Sequence, residues 1–352
     1  MKTFVFPEKL RKLTGNNIDL SELARVIAEH RERYQVQSSD GIFQAEITGN
    51  IRFAAQTRAD FPAVGDWVRI MKMDESTAII VGVLPRFSQL SRLAVHSSSE
   101  TQLIASNIDV AFIVQSVGHD FNLNRMERYL SICYSSSIEP VMLLTKIDLI
   151  PDTELDDLKQ KIHNRLPAIS VIPVSSTNGE GYESLEKLLK ASETYCFLGS
   201  SGVGKSTIIN RLLMEEAMKT AEISVSTSKG RHTTSHRELF YLPNGSMVID
   251  TPGMRELGMT DQSDGIEKTY AGISELAENC RYRDCTHTGE KGCAVLKAVD
   301  DGDLSVEVYE NYLKLKREQE RFSTSVHEKK QMGKIFGKMV KEANRERKRN
   351  KF

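Results

Sequence analysis

Eight consecutive residues, 199–206, have the types and the spacing of a loop that binds phosphate groups. They read GSSGVGKS and match the pattern G-x-x-x-x-G-K-[ST] at every fixed position. The apolar run YCFL precedes them and TIINRLL follows, as expected for a strand, a loop and a helix. Glycines let backbone N–H groups surround phosphate oxygens at a helix N-terminus. We therefore assign nucleotide contacts to Gly199, Ser200, Ser201, Gly202, Val203, Gly204, Lys205, Ser206 and Thr207.

Side chains in and after this loop are suited to the terminal phosphates and to Mg²⁺. Lys205 would hold the β- and γ-phosphates, which makes it a candidate catalytic residue, and Ser206 would ligate Mg²⁺. Downstream, the apolar run MVID ends in Asp250, which suits the Mg²⁺-side carboxylate of such a site. Gly253 suits a hinge that moves when the γ-phosphate arrives or leaves. These residues predict nucleotide hydrolysis but do not choose between ATP and GTP.

Two polar segments at the ends of other apolar runs are suited to select the base. The first, TKID, supplies Thr145, Lys146 and Asp148. A carboxylate can accept hydrogen bonds from both N1–H and the exocyclic amine of guanine, and adenine offers no such donor pair. Asp148 therefore favours GTP over ATP, with the stem of Lys146 packed along the base. The second segment supplies Ser175 and Ser176, where a loop could cover the base.

The order of these motifs along the chain is unusual, because the base-selecting segments precede the phosphate loop and the Asp250 hinge. In this order the chain resembles the circularly permuted GTPases and, within them, the bacterial ribosome small subunit-dependent GTPase A family. The strings TKID, VSS, GSSGVGKST, KGRHTTS and DTPGMRE carry the resemblance, which covers roughly residues 35–300. It implies an OB-type barrel, a permuted GTP-binding domain and a zinc module. It also implies GTP hydrolysis stimulated by the small ribosomal subunit during its late assembly.

The resemblance also implies roles for single residues of the KGRHTTS and DTPGMRE segments. Thr233 or Thr234 would be the switch threonine that senses Mg²⁺ and the γ-phosphate, and we assign Thr234 to Mg²⁺ and to catalysis. His232 is either a residue that arranges the attacking water or an ordinary histidine of the switch loop. Met254 stands where many GTPases place a water-orienting Gln, so we expect intrinsic hydrolysis at about 10⁻³ s⁻¹ or below. Thr145 departs from the family pattern, because it replaces an Asn whose amide braces the loop.

Four residues near the C-terminal end have the spacing of a structural zinc site. The pattern is Cys280-x₄-Cys285-x-His287-x₅-Cys293, and three thiolates with one imidazole complete a closed tetrahedral set. The surrounding sequence is too polar to form a core, so the metal would supply most of its folding energy. The other two cysteines of the chain, 133 and 196, lie in apolar runs and are expected to be buried thiols.

The elements that must position these motifs follow from hydrophobic periodicity. Apolar runs at 110–114, 141–144, 169–174, 195–198 and 247–249 alternate with helical patterns such as 182–190, which favours a parallel α/β sheet. The runs YQVQ, GIFQAEI, NIRFAA, DWVRIMKM and TAIIVGVL predict about five short strands, with the OB-fold as one option. A short helix is predicted within 21–33 and another around 304–321. The fold class is therefore multidomain α/β: an N-terminal extension (1–33), an OB-like barrel (34–98), a permuted GTPase domain (99–263) and a zinc module with a basic helical tail (264–352).

The charge of the chain is unevenly distributed. Its 352 residues carry 47 Lys+Arg and 48 Asp+Glu, but residues 314–352 alone carry a charge of +9, which leaves −10 for the rest. The tail is either a solvated helix or an arm that neutralises rRNA phosphates. If the barrel contacts RNA as well, its aromatic candidates are Phe43, Phe53, Phe61 and Trp67.

The expected location follows from what the sequence lacks, and the expected partners follow from the motifs and from the family resemblance. No apolar run reaches the 18 or so residues of a membrane span, and no signal-peptide core is present. We expect a cytoplasmic monomer that binds GTP and GDP, Mg²⁺, one structural Zn²⁺, and the small ribosomal subunit with its rRNA. Two alternatives stay open: a nucleotide-gated RNA-binding assembly factor whose hydrolysis is incidental, and a metabolic P-loop ATPase or kinase, which Asp148 disfavours.

Overall fold

The computed structural model describes residues 5–15, 18–30, 33–55, 57–93, 101–220, 237–250 and 263–323. Within them, the strands are β1 (Leu23–His30), β2 (Arg33–Ser38), β3 (Gly41–Ile47), β4 (Trp67–Lys72), β5 (Thr77–Val83), β6 (Gln89–Leu93), β7 (Thr101–Ser106), β8 (Val110–Ser116), β9 (Glu139–Thr145), β10 (Val171–Val174), β11 (Thr194–Leu198), β12 (Glu238–Tyr241) and β13 (Met247–Asp250). The α-helices are α1 (Glu8–Thr14), α2 (Gly49–Ala54), α3 (Leu123–Ser135), α4 (Asp152–Arg165), α5 (Tyr182–Leu188), α6 (Lys205–Thr220), α7 (Ser263–Thr269), α8 (Ala271–Ala277), α9 (Ala294–Asp301) and α10 (Val306–Ser323).

A sheet in the order β10-β9-β8-β11-β13-β12 forms the centre of the molecule. Its first five strands pair in parallel, as the alternation of apolar runs and helical patterns predicts, and β12 is antiparallel to β13. Alternate residues of the strands enter two separate cores, one beneath α3 and α4 and the other beneath α5 and α6. Burial on both faces explains why these strands read as continuous apolar runs.

A closed five-stranded barrel lies beside this sheet. Its strands follow the order β1-β2-β3-β5-β4, and β1 pairs with β4 to close it. Four of the five predicted runs supply four of these strands. Phe43 is buried in the barrel core, whereas Trp67 is buried in a separate cluster with Phe6 and Leu10. The barrel is joined to the central sheet, because Ala28 of β1 pairs with Glu238 of β12.

Two local predictions in this region are wrong. The helix predicted within 21–33 is the strand β1, which supplies the fifth barrel strand and lies inside the segment set apart as an extension. Its first six residues are all buried, so the period of two that marks a half-exposed strand is missing. The predicted strand NIRFAA is the short helix α2, which begins after a cap in which Thr48 accepts a hydrogen bond from the backbone of Ile51. Phe53 of α2 is 94% exposed. The limits of the predicted domains stay predictions.

The C-terminal helices pack on the central domain through α3. Gly265 of α7 lies so close to this helix that a Cβ there would stand 2.0 Å from the carbonyl oxygen of Ser131. The predicted helix around 304–321 is α10, whose Asn311 reaches the buried carboxylate of Glu127 on α3. Among the described residues, no helix is both long enough and apolar enough to span a membrane.

Candidate functional site

The carboxyl ends of the parallel strands bring the predicted base-selecting and phosphate-binding residues to one edge of the sheet. Thr145 at the end of β9 lies opposite Val174 at the end of β10, and β11 leads into the loop at Gly199. β13 lies next to β11 and ends in Asp250. Crevices at such an edge are where open α/β sheets bind their ligands. Motifs that are separated by up to about 100 residues in the sequence are therefore neighbours in space.

The phosphate loop begins in close contact with the sheet. A Cβ on Gly199 would stand 2.3 Å from the carbonyl oxygen of Val114, so only glycine fits there. Lys205 begins α6, and its Nζ donates hydrogen bonds to the carbonyl oxygens of Gly199, at 2.7 Å, and Ser200. The ammonium group thus lies across the loop, beside the backbone N–H groups that would surround a phosphate.

Thr145 braces this loop with its hydroxyl group. Its Oγ1 donates a hydrogen bond of 2.6 Å to the carbonyl oxygen of Val203, in the middle of the loop. The side chain is 3% exposed, which protects this bond from water. The family pattern has an Asn amide at this position. In this chain the shorter hydroxyl group of Thr145 is the donor that connects the base-selecting segment to the phosphate loop.

Asp148 lies beside the loop that follows β10, and a hydrogen bond from this loop holds it in its charged form. The hydroxyl of Ser175 donates a hydrogen bond of 2.6 Å to Oδ1 of Asp148, and this bond holds the pKa of the carboxyl below its usual value. Asp148 and Lys146 are exposed, whereas Ile147 between them is buried and anchors the segment. Asp148 thus presents an ionised carboxylate to solvent, the form that can accept from both guanine donors.

The loop after β10 is fastened by residues that the sequence motifs do not include. Ser176 shares a hydrogen bond of 2.8 Å with the hydroxyl of Tyr182, and the guanidinium of Arg211 lies 4.0 Å from the centre of the Tyr182 ring. A Cβ on Gly181 would stand 1.9 Å from the carbonyl oxygen of Pro173, so the loop turns tightly against its own strand. The pair of glycines in NGEG indicates a turn, but nothing in the sequence indicates that Arg211 on α6 reaches it.

Two residues with oxygen atoms suited to Mg²⁺ lie at this edge of the sheet. Ser206 lies in the first turn of α6, and Asp250 ends the strand beside the one that leads into the loop. Hydroxyl and carboxylate oxygens are the donors that Mg²⁺ prefers, together with phosphate oxygens and water. This donor set fits the ion.

Cys280, Cys285, His287 and Cys293 form the second site, and their ligand atoms all lie within 4.8 Å of one another. The Nδ1 atom of His287 is 3.6 Å from Sγ of Cys280 and 3.4 Å from Sγ of Cys293, and those two sulfurs are 3.9 Å apart. The thiols are not in disulfides. Burial lowers the pKa of His287, which favours the neutral imidazole that binds metals.

The spacing of this cluster fits a tetrahedral metal site. Thiolate–zinc bonds of about 2.3 Å place neighbouring sulfurs roughly 3.8 Å apart on a tetrahedron, close to the distance between Cys280 and Cys293. Backbone N–H groups of Ala294 and Leu296 donate to the same two sulfurs, and Tyr309 donates to the carbonyl oxygen of His287 at 2.6 Å. The cluster can therefore hold a metal ion, with all four positions filled by protein.

Comparison with known proteins decides the family. A family model described as RsgA GTPase matches residues 83–260. The chain is 46% identical over 299 residues to "Small ribosomal subunit biogenesis GTPase RsgA 2" of Listeria monocytogenes serotype 4b (strain F2365), covering 85% of this chain and 84% of that protein. The chain belongs to the RsgA GTPase family. It is therefore a GTP-hydrolysing enzyme, and the unusual motif order is that of the family.

Other RsgA proteins and solved structures agree with this assignment. The RsgA 1 protein of Bacteroides thetaiotaomicron is 40% identical over 323 residues, which cover 91% of this chain and 90% of that protein. The structure titled YloQ, a circularly permuted GTPase, has a TM-score of 0.61 and 25% identity, covering 85% of this chain and 94% of that one. YjeQ from Thermotoga maritima has a TM-score of 0.64 at 23% identity, with 85% and 98% covered, and supports the fold.

Several predicted residues of the RsgA site lie outside the described part of the chain: His232, Thr233, Thr234, Gly253 and Met254. Conversely, the structure adds residues that sequence reasoning missed. Arg125 of α3 donates a hydrogen bond of 2.7 Å to the hydroxyl of Ser200 in the phosphate loop. No local motif indicates this contact, because 75 residues separate the partners.

Proposed function

We propose that this RsgA-family GTPase acts as a nucleotide-controlled factor in the late maturation of the small (30S) ribosomal subunit. The observation that carries the proposal is the convergence of the TKID, VSS and GSSGVGKS segments at one sheet edge, in a permuted chain whose relatives are named for small ribosomal subunit biogenesis. The factor docks on the subunit or its precursor with GTP bound and leaves when GTP is hydrolysed.

In this proposal each residue at the sheet edge has a defined task. Asp148 reads guanine, Lys146 packs along the base, and Ser175 and Ser176 form the loop beside it. Residues 199–207 bind the phosphates, with Lys205 on the β- and γ-phosphates. Ser206, Thr234 and Asp250 serve Mg²⁺, while Thr233 and Gly253 sense the γ-phosphate. His232 is the candidate for arranging the attacking water, which the subunit would help to position because Met254 cannot.

Zinc is the metal we propose for the Cys/His cluster, in a structural role. Three thiolates and an imidazole suit zinc, and a site without an open position offers no place for a reactive water. The metal would fix the orientation of residues 280–293 on α10 through Tyr309 and would take no part in hydrolysis.

The basic tail and the barrel are the proposed rRNA contacts. Lys and Arg of the tail would neutralise phosphates, so binding to the subunit should weaken steeply as salt is raised. Phe53 offers an exposed ring on α2 that can stack on a base, in contrast to the buried Phe43 and Trp67. We expect the protein to act as a monomer in the cytoplasm.

The test is GTP turnover with and without isolated small subunits. We expect slow hydrolysis alone and strong stimulation by the subunits. At a GTP concentration that saturates the variant, Lys205→Ala should abolish turnover while still allowing docking but not release. Lys187→Ala is the matched control, since it removes a lysine whose partner is Glu183 on the surface of α5. Lack of stimulation by active subunits, or normal release of the Lys205→Ala protein, would contradict the proposal.

A further inference from the structure

Arg125 connects the first turn of α3 to the phosphate loop. Its Nη1 donates a hydrogen bond of 2.7 Å to the hydroxyl oxygen of Ser200, and the side chain is partly buried. The helix start that carries it is fixed, because the side chain of Asn122 accepts a hydrogen bond of 2.9 Å from the backbone N–H of Arg125. The backbone of Arg125 is therefore held by the helix cap, and its guanidinium is bonded to the loop.

Ser200 in turn contacts the lysine that faces the phosphates. Its carbonyl oxygen accepts a hydrogen bond from Nζ of Lys205, and its side chain accepts one from Arg125. Ser200 is thus held in two ways. Its side chain is bonded to a residue of α3, and its carbonyl group is bonded to a residue of α6.

We propose that Arg125 is a positioning residue for GTP, which sets the phosphate loop by holding Ser200 so that Lys205 lies across it. A hydrogen bond from a charged guanidinium is stronger than one between neutral groups, and its planar donor fixes the direction of the bond. The inference rests on the proposed role of residues 199–206 as the phosphate loop. It adds a residue that lies outside every motif in the sequence.

Dissociation constants for GDP and for IDP, measured on the full chain, test this role. IDP keeps the phosphates but lacks the exocyclic amine, so the ratio of the two constants reports base recognition by Asp148. Arg125→Met should weaken both nucleotides about fivefold and leave their ratio unchanged, as expected for the loss of one charge-assisted hydrogen bond. Arg125→Lys keeps a charged donor and should restore most of the affinity.

Two further variants separate positioning from general damage. Arg128→Met removes an arginine of the same helix whose partner is Glu318 rather than the loop, and both constants should stay within twofold or so of the wild type. Ser200→Ala should reproduce the loss caused by Arg125→Met, and the double variant should lose no more than Ser200→Ala alone.

The possible outcomes distinguish this inference from the proposed function. Unchanged affinity in Arg125→Met, an equal loss in Arg128→Met, or losses that multiply in the double variant would overturn the positioning role. Lys205→Ala should weaken GDP far more than any of these variants. If it binds GDP normally, the phosphate-loop assignment itself fails, whatever Arg125 does.

Discussion

The edge of the sheet that carries the predicted nucleotide-binding residues, here called the nucleotide edge, and the Cys/His cluster are both built from short polar segments. Different forces hold the two sites in place. At the nucleotide edge, Thr145 and Asp250 end strands, and Gly199 follows a strand, whose residues fill two hydrophobic cores. In the cluster, residues 281–292 are mostly exposed, and only the ligands His287 and Cys293 are buried. Buried strands hold the first site, whereas the exposed segment between the ligands of the second site has few buried residues of its own to hold it.

This difference means that the two sites should respond in opposite ways to the loss of what they bind. A loop attached to a packed sheet loses affinity when a side chain is removed but keeps its shape. A segment without a core loses its fold when its metal is withdrawn, because the energy of metal binding is also its folding energy. If the two sites are independent, a change at one site leaves the other unaffected. If a change at one site also affects the other, the two form one cooperative unit.

The largest effect is expected from removing the metal that we propose for the Cys/His cluster. Chelation, or Cys285→Ser, should unfold residues 280–293, since structural zinc contributes about 10 kcal/mol or more to such modules. Amide hydrogen exchange should rise sharply in this segment, while affinity for GDP changes little. Cys133→Ser is the control, because Cys133 lies on α3 in the hydrophobic core and is not one of the four residues of the Cys/His cluster. Loss of GDP binding on chelation would show that the sites are not independent.

How much of each site the sequence predicts follows from this same contrast. The phosphate loop and the Cys/His spacing are local patterns, so both could be found without a structure. Strand β1 could not, because burial on both faces removes its alternation and places a charged residue in the core. Arg25 on this strand is 1% exposed and donates to the hydroxyl of Thr194 at 2.7 Å, a contact across 169 residues. Hydrophobic periodicity assigns such an arginine to the surface, because most arginines in proteins are exposed.

Contacts between the two regions were also outside the reach of sequence patterns. The carboxylate of Glu127 on α3 accepts hydrogen bonds from Arg165 at the end of α4, from the hydroxyl of Tyr270 and from Asn311 on α10. These partners come from three segments up to 184 residues away, and none belongs to a motif. Only the folded chain brings together the distant donors that a buried carboxylate needs for its hydrogen bonds.

The second largest effect is expected at this junction. Glu127→Ala leaves the largely buried guanidinium of Arg165 without its main partner, at a cost of about 3 kcal/mol. It should lower the denaturant midpoint and separate unfolding of the C-terminal helices from that of the nucleotide domain. Glu318→Ala removes a more exposed partner, that of Arg128, and should cost about 1 kcal/mol or less. A single unshifted transition in Glu127→Ala would mean that the carboxylate does not join the regions.

The smallest effect concerns the base-selecting end and is visible only through pH. The hydrogen bond from Ser175 keeps the pKa of Asp148 below its usual value, so the charged form, which we propose reads guanine, persists as the solution is acidified. Ser175→Ala removes the main cause of that shift. The pKa of Asp148 should rise towards that of an ordinary aspartate carboxyl group, and affinity for GDP should begin to fall at a higher pH than in the wild type.

Comparison of the two pH profiles isolates this effect, because the titration of the nucleotide phosphates is common to both proteins. At neutral pH the two should differ by less than about threefold, since Asp148 is ionised in both. Ser176→Ala is the control, because its hydroxyl contacts Tyr182 instead of Asp148 and its profile should follow the wild type. The prediction also sharpens the contrast between the sites. On a rigid sheet edge, the hydroxyl of Ser175 can change the pKa of Asp148 without moving the loop. Identical pH profiles of GDP affinity for the wild type and Ser175→Ala would mean that Ser175 acts on the shape of the loop instead.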